Sequence, residues 1–274
     1  MNTPNQRPIG VFDSGVGGLT NVRALMERLP LENIVYFGDT ARVPYGVKSR
    51  ATIETFTAQI VGFMLEHDVK ALVIACNTIA AVAGHKVRQM AGNMPVLDVI
   101  SAGAQAALAT TRNNHIGVIA TNTTVNSNAY AREIHRRNPA ARVQSQACPL
   151  FVPLVEEGWL DHEVTRLTAR EYLKPLLAED VDTLVLGCTH YPLLRGTIGR
   201  IMGDQVKLVN PAYETALELK EILAREKLLN PGDGNTEGKY RFYVSDLAEN
   251  FRDFANSILP TEQLEAKKIE IEEY

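Results

Sequence analysis

Short apolar runs of strand type alternate with longer amphipathic stretches along nearly this whole chain, and that alternation restricts the fold more than any other feature. The strand-like runs are Ile9–Phe12, Ile34–Phe37, Ala71–Ala75, Val96–Val99, Ile116–Ala120, Val143–Ala147, Leu184–Gly187, Lys207–Val209 and Arg241–Val244. Between them fall the helix-like stretches Leu19–Leu29, Ser49–Glu66, Ile79–Met90, Ala102–Thr111, Val125–Asn138, Glu163–Leu177 and Ala212–Arg225. Strands separated by helices pair in parallel, so the pattern predicts an α/β protein with largely parallel sheets. Nine strands are more than one small sheet holds. The Glu- and Lys-rich segment Thr261–Tyr274 reads most simply as a solvated tail, with room for a final edge strand.

The two halves of the chain are alike. Ile9-Gly10-Val11-Phe12-Asp13-Ser14 and Ile116-Gly117-Val118-Ile119-Ala120-Thr121 each read as a first strand running into a small polar residue. Each is followed later by an apolar run that ends in cysteine: Lys70-Ala71-Leu72-Val73-Ile74-Ala75-Cys76-Asn77-Thr78, and Asp182-Thr183-Leu184-Val185-Leu186-Gly187-Cys188-Thr189-His190. We therefore expect two similar α/β domains, with the site in the cleft between them, where small-ligand sites are common. The chain is expected to cross near 99–103 and return near 210–212. That gives a discontinuous first domain of residues 1–98 plus 212–274 and an inserted second domain of residues 99–211.

Free cysteine usually behaves as a small buried hydrophobe. Two cysteines at the carboxyl ends of matching strands are a different matter, because open α/β sheets handle ligands there. The pair suggests two opposed acid/base groups facing one substrate. His190, two residues beyond Cys188, is placed to hold or polarise a thiolate. The loop Asp13-Ser14-Gly15-Val16-Gly17-Gly18 joins a strand to a helix and can turn N–H groups toward an anion. It lacks a Rossmann fingerprint, since Thr20 stands where glycine is needed, and it has no Walker lysine. Asp39-Thr40 and Pro44-Tyr45-Gly46 follow the second strand, and Gly46 would allow close backbone approach to a ligand. Glu156 and Glu157, with Asp161 and His162 beyond them, read on their own as a solvated face.

Other classes find little support. The net charge of −4 offers no electrostatic case for nucleic acid or an anionic membrane. No apolar stretch approaches the roughly 18 residues of a spanning helix. The polar amino terminus lacks a signal peptide's apolar core, and the 3 cysteines make no even-numbered secreted framework. We expect a cytoplasmic protein with reduced thiols. The 6 histidines are dispersed, without zinc spacing, and no cofactor fingerprint or Gly-x-Ser-x-Gly elbow is present, so neither metal nor cofactor is expected.

Taken together, Asp13-Ser14-Gly15-Val16-Gly17-Gly18, Pro44-Tyr45-Gly46, Ala75-Cys76-Asn77-Thr78 and Gly187-Cys188-Thr189-His190-Tyr191-Pro192 resemble the glutamate racemase family in order and approximate spacing. The likeness runs from Ile9 to about Val244. It departs at Asp98-Val99-Ile100-Ser101-Ala102-Gly103, where many members carry an Ile-Glu-Pro-Gly-like crossover. The resemblance implies a cofactor-independent two-base racemase that interconverts L- and D-glutamate and supplies D-glutamate to peptidoglycan. By position, it makes Cys76 and Cys188 the proton-transfer pair. Asp13 would assist Cys76, while Glu156 and His190 would assist Cys188. Ser14, Tyr45, Gly46, Asn77, Thr78, Thr121 and Thr189 would bind substrate together with Asp13 and His190. Glu157 adjoins Glu156, and spacing alone chooses between them. Glutamate is the expected small-molecule partner, and a homodimer stays open. Two rival readings remain: a racemase of a related acid such as aspartate, and a non-catalytic carboxylate-binding regulatory protein.

Overall fold

The computed structural model describes residues 3–232, 234, 238–247, 251–259 and 265–274. Its first sheet contains β1 (Ile9–Asp13), β2 (Ile34–Gly38), β3 (Ala71–Ile74), β4 (Val96–Asp98), and two later strands, β9 (Tyr240–Val244) and β10 (Ala266–Lys268). The second sheet contains β5 (His115–Ala120), β6 (Arg142–Ala147), β7 (Thr183–Gly187) and β8 (Lys207–Val209). Every pairing is parallel. The strand orders are β10-β9-β2-β1-β3-β4 and β6-β5-β7-β8, so β2-β1-β3-β4 and β6-β5-β7-β8 are the same arrangement used twice. This is the internal likeness read from the sequence. Its consequence is local and exact in kind: β3 and β7, the strands that end beside Cys76 and Cys188, hold equivalent places beside β1 and β5.

The central strands are buried along their length, as parallel strands covered on both faces must be. Alternate residues feed opposite faces. Val11, Tyr36 and Val73 pack with α1 (Leu19–Arg28) and α10 (Pro211–Arg225), while Phe12, Phe37 and Ile74 pack with α2 (Arg50–Glu66) and α3 (Asn77–Ala91). In the second sheet, Leu184 and Leu186 face α8 (Glu163–Ala178) and α9 (Arg195–Met202). Val118 and Val185 face α4 (Val99–Thr110) and α6 (Ala129–Arg137).

Several expectations change. The stretch 125–138 is two helices, α5 (Asn122–Asn126) and α6, because Asn128 takes a left-handed conformation with φ of 55°. Asn tolerates that region and ends a helical run there. Helix α4 starts at Val99 rather than Ala102, because the Asp98 carboxylate caps Ile100 N at 3.0 Å and Ser101 N at 2.9 Å. Helices α7 (Phe151–Glu156) and α9 were not expected; Pro153, Gly196 and Gly199 mask their periodicity. The carboxyl-terminal segment is no solvated tail. Residues 261–264 of it lie outside the described ones, but β10 adds an edge strand and Ile271 is fully buried under α2. Tyr274 meets Phe63 edge-on with ring centroids 5.2 Å apart. Among the described residues, no helix is long and apolar enough to cross a membrane.

Candidate functional site

The loops at the carboxyl ends of both sheets enclose a cavity of about 380 Å³. Cys76, Asn77 and Thr78 enter it from the end of β3, and Cys188, Thr189 and His190 from the end of β7. Ser14, Tyr45, Gly46, Thr121 and Glu156, also expected from the sequence, line it too. Asp13 does not line the cavity; it sits one layer behind, 1% exposed. Glu157 does not line it either, whereas the Glu156 carboxylate lies 2.9 Å from His190 Nε2. Of the two adjacent glutamates, Glu156 is the one that reaches His190.

The two cysteines sit in unlike electrical settings. Cys76 is the residue just before α3, and its sulfur accepts from Ile79 N at 3.5 Å and donates to Ser14 Oγ at 3.3 Å. Burial, together with the Asp13 carboxylate, pushes its thiol up to about 12. Burial also raises the Asp13 carboxyl, although the His190 charge and N–H groups of the loop oppose it. Asp13 Oδ2 accepts from Gly15 N at 3.0 Å, and Oδ1 has no hydrogen-bond partner among the described residues. Cys188 instead stands 3.9 Å from His190 Nδ1. Burial disfavours a charged imidazole, but hydrogen bonds to Cys188 and Glu156 and their charges outweigh it and push His190 up to about 10. At neutral pH one sulfur therefore faces a carboxyl and the other an imidazolium.

Polar groups around the cavity are mostly neutral donors. Among the described residues, no arginine or lysine lines it. Arg42, between Asp39-Thr40 and Pro44-Tyr45-Gly46, is turned away: its Nε lies 2.7 Å from Asp39 Oδ2, its Nη1 donates to Gln59, and it stacks on Phe56. Tyr45 also spends its hydroxyl on Asp39, so what Tyr45 and Gly46 offer the cavity is backbone N–H at the start of a 3-10 turn. The first-turn N–H groups of Asn77 and Thr78 in α3 are free of helical partners for the same reason.

The glycine-rich loop has a purpose beyond the anion cradle expected of it. A Cβ on Gly17 would stand 2.4 Å from Thr189 Oγ1 and 2.6 Å from the His190 ring, so glycine is what lets the β1 loop lie against the β7 loop. Thr20 Oγ1 fastens the same contact by donating to Thr189 O at 3.0 Å. Thr123 Oγ1 donates to Gly46 O at 2.6 Å, and Thr78 Oγ1 lies 3.1 Å from Thr121 Oγ1. His162 and Asp161 are elsewhere; His162 accepts from Val164 N at the start of α8. Sequence reasoning missed the apolar wall of Val43, Val47, Pro149, Val152 and Pro153, most of it from loops and the short α7, which carry no periodic signal.

Residues 20–218 match the Asp/Glu/hydantoin racemase family. A glutamate racemase of Neisseria meningitidis is 71% identical over 258 residues, which are 94% of this chain and 94% of that protein. The crystal structure of glutamate racemase from Francisella tularensis in complex with D-glutamate superposes with a TM-score of 0.92 at 46% identity, covering 98% of this chain and 100% of that one. The Escherichia coli glutamate racemase in complex with L-glutamate and the activator UDP-MurNAc-Ala gives a TM-score of 0.73 at 27% identity, covering 93% of each chain. On a match through most of its length and on relatives this similar, the chain belongs to the Asp/Glu/hydantoin racemase family.

Proposed function

We propose that the protein interconverts L- and D-glutamate by a cofactor-independent two-base mechanism, with Cys76 and Cys188 exchanging the Cα proton. The observation that carries this reading is the cysteine pair itself, at equivalent strand ends of a duplicated sheet and open to one cavity. Racemisation needs one group to remove the Cα proton and another to deliver a proton to the opposite face. A repeated βαβ arrangement with its ends turned inward supplies two such groups. A pure carboxylate binder would need neither thiol.

The chemical difficulty is that an amino-acid Cα–H is far less acidic than a thiol. Cavity donors aimed at the α-carboxylate, where negative charge grows as the proton leaves, reduce the gap. Ser14, Asn77, Thr78, Thr121 and Thr189, with the backbone N–H groups of the Tyr45-Gly46 turn, are the donors we assign to the substrate. His190, held by Glu156, stabilises charge on the Cys188 sulfur. Cys76, kept protonated at neutral pH, starts as the donor; when it must act as base, we assign Asp13, the carboxylate whose charge acts on that thiol, to take its proton.

Glutamate rather than aspartate is the substrate favoured by the 71% identical relative that bears the name glutamate racemase. In a bacterial cytoplasm the D-glutamate formed would enter peptidoglycan; a homodimer is the assembly we propose there. We take residues 1–98 plus 212–274 and 99–211 as the two domains, following the two sheets. Circular dichroism of D- and L-glutamate with purified protein and no added cofactor tests the function. Both signals should decay to zero, with deuterium entering Cα from D₂O. No decay with glutamate, but decay with aspartate in the same panel, would transfer the activity to the shorter acid.

A further inference from the structure

We infer that Tyr130, a residue outside the cavity, sets which end of the Asn77 amide the substrate meets. This rests on the glutamate reading above and adds a positioning residue to it. Asn77 lines the cavity at the start of α3 and is 4% exposed. Its amide has two unlike ends, an acceptor oxygen and an NH2 donor, and only the NH2 end can bind a carboxylate. Tyr130 belongs to α6, on the second sheet, and is 2% exposed. Its hydroxyl reaches across to the first sheet's helix and donates to Asn77 Oδ1 at 2.7 Å. With the oxygen end so occupied, the NH2 end is left for the cavity.

The ring cannot easily swing out of this role. It lies in a slot made by two glycines: a Cβ on Gly187 would stand 3.0 Å from the ring, and one on Gly103 would stand 3.3 Å from it. Gly187 directly precedes Cys188, so the same bare backbone that brings the thiol to the cavity also makes room for the ring. The alternative, flipped arrangement is poorer. Tyr130 would then accept from the Asn77 NH2 and send its proton to Val99 O, which is 3.4 Å away. That is near the limit of a hydrogen bond, and the amide would show the substrate carboxylate an oxygen, a repulsive contact. The hydroxyl therefore orients a cavity residue without lining the cavity itself.

Full-length wild type, Tyr130→Phe, Asn77→Ala and the double variant, assayed in both directions, test this. Tyr130→Phe keeps the ring and removes the donor. The KM for both enantiomers should rise about tenfold with a smaller fall in kcat, since the carboxylate Asn77 holds is already charged in the substrate and gains only part of its negative charge as the proton leaves. In the Asn77→Ala background the same change should add less than about twofold, because the residue it orients is gone. An unchanged KM, or an equal effect with and without Asn77, would overturn the role. If Tyr130→Phe does not fold, the wild-type protein still decides. On titration with D-glutamate, the Asn77 side-chain NH2 resonances should move, and unmoved resonances would overturn the proposal. Wild type inert toward both enantiomers would remove the proposed function and this role with it; active wild type with an indifferent Tyr130→Phe would remove the role alone.

Discussion

At the level of single residues, the difference between the two thiols is the most testable feature. Cys76→Ala and Cys188→Ala should each abolish racemisation, because every turnover in either direction needs an acid and a base. Either variant should still catalyse one stereochemical sense of elimination from a glutamate carrying a leaving group, where one base suffices. Racemisation by Cys76→Ala at a rate near wild type would end the two-base assignment. His190 adds a pH test. Its imidazole is raised from its ordinary 6.5 to about 10, so its charge stabilises the fold fully below pH 6.5, and that contribution is lost as pH rises through about 10. The stability gap between wild type and His190→Gln, read from urea midpoints, should therefore narrow from neutral pH toward pH 10. A gap that stays constant or widens over that range contradicts a charged His190. Asn77→Ala, which withdraws donors from a charged ligand, should cost about 1–3 kcal/mol in kcat/KM.

Among the elements, the β1 and β7 loops are built to touch, and glycine is the condition for it. Gly17→Ala puts a methyl group where Thr189 Oγ1 and the His190 ring already are. We expect the loops to part, displacing His190 from Cys188, with a loss of kcat far larger than the change in melting temperature. Activity falling only in step with stability would reduce Gly17 to a packing residue. Helix α7 plays the complementary part. It is only six residues long, yet it carries Glu156 to His190 and Val152 and Pro153 to the cavity wall. Its shortness hid it from periodicity, and the Glu156-Glu157 pair therefore read as surface.

In the molecule as a whole, the first sheet is finished by the chain's end. Ile271 packs under α2 in the apolar cluster that also holds Phe63 and Ile53, and β10 closes the edge next to β9. Ile271→Ala should cost about 2–5 kcal/mol, the range for emptying a well-packed aliphatic site. Urea unfolding measures it; a change under about 0.5 kcal/mol, the surface range, would place Ile271 back in a solvated tail. A second long-range tie is the buried Lys70–Glu32 pair at 2.5 Å, where Lys70 Nζ also donates to Leu228 O at 2.7 Å. These contacts join segments far apart in sequence around the β1–β3 core that presents Cys76.

The sequence by itself determined the α/β class, the repeat of its halves, and the arrival of Cys76 and Cys188 at strand ends. Each of these is written in short-range patterns: buried strand runs, helical periodicity and the residues that terminate them. The same patterns brought Asn77, Thr78, Thr189 and His190 along, because they adjoin those ends. Only the tertiary structure decided that Glu156 rather than Glu157 meets His190, that Asp13 stands behind the cavity wall, and that Tyr45 turns its hydroxyl to Asp39. It also decided that Gly17 makes room for His190 and that Tyr130 reaches Asn77. Those facts depend on which loops from two different sheets come to lie against each other. That is a matter of packing geometry between distant segments, and no local period in the chain encodes it.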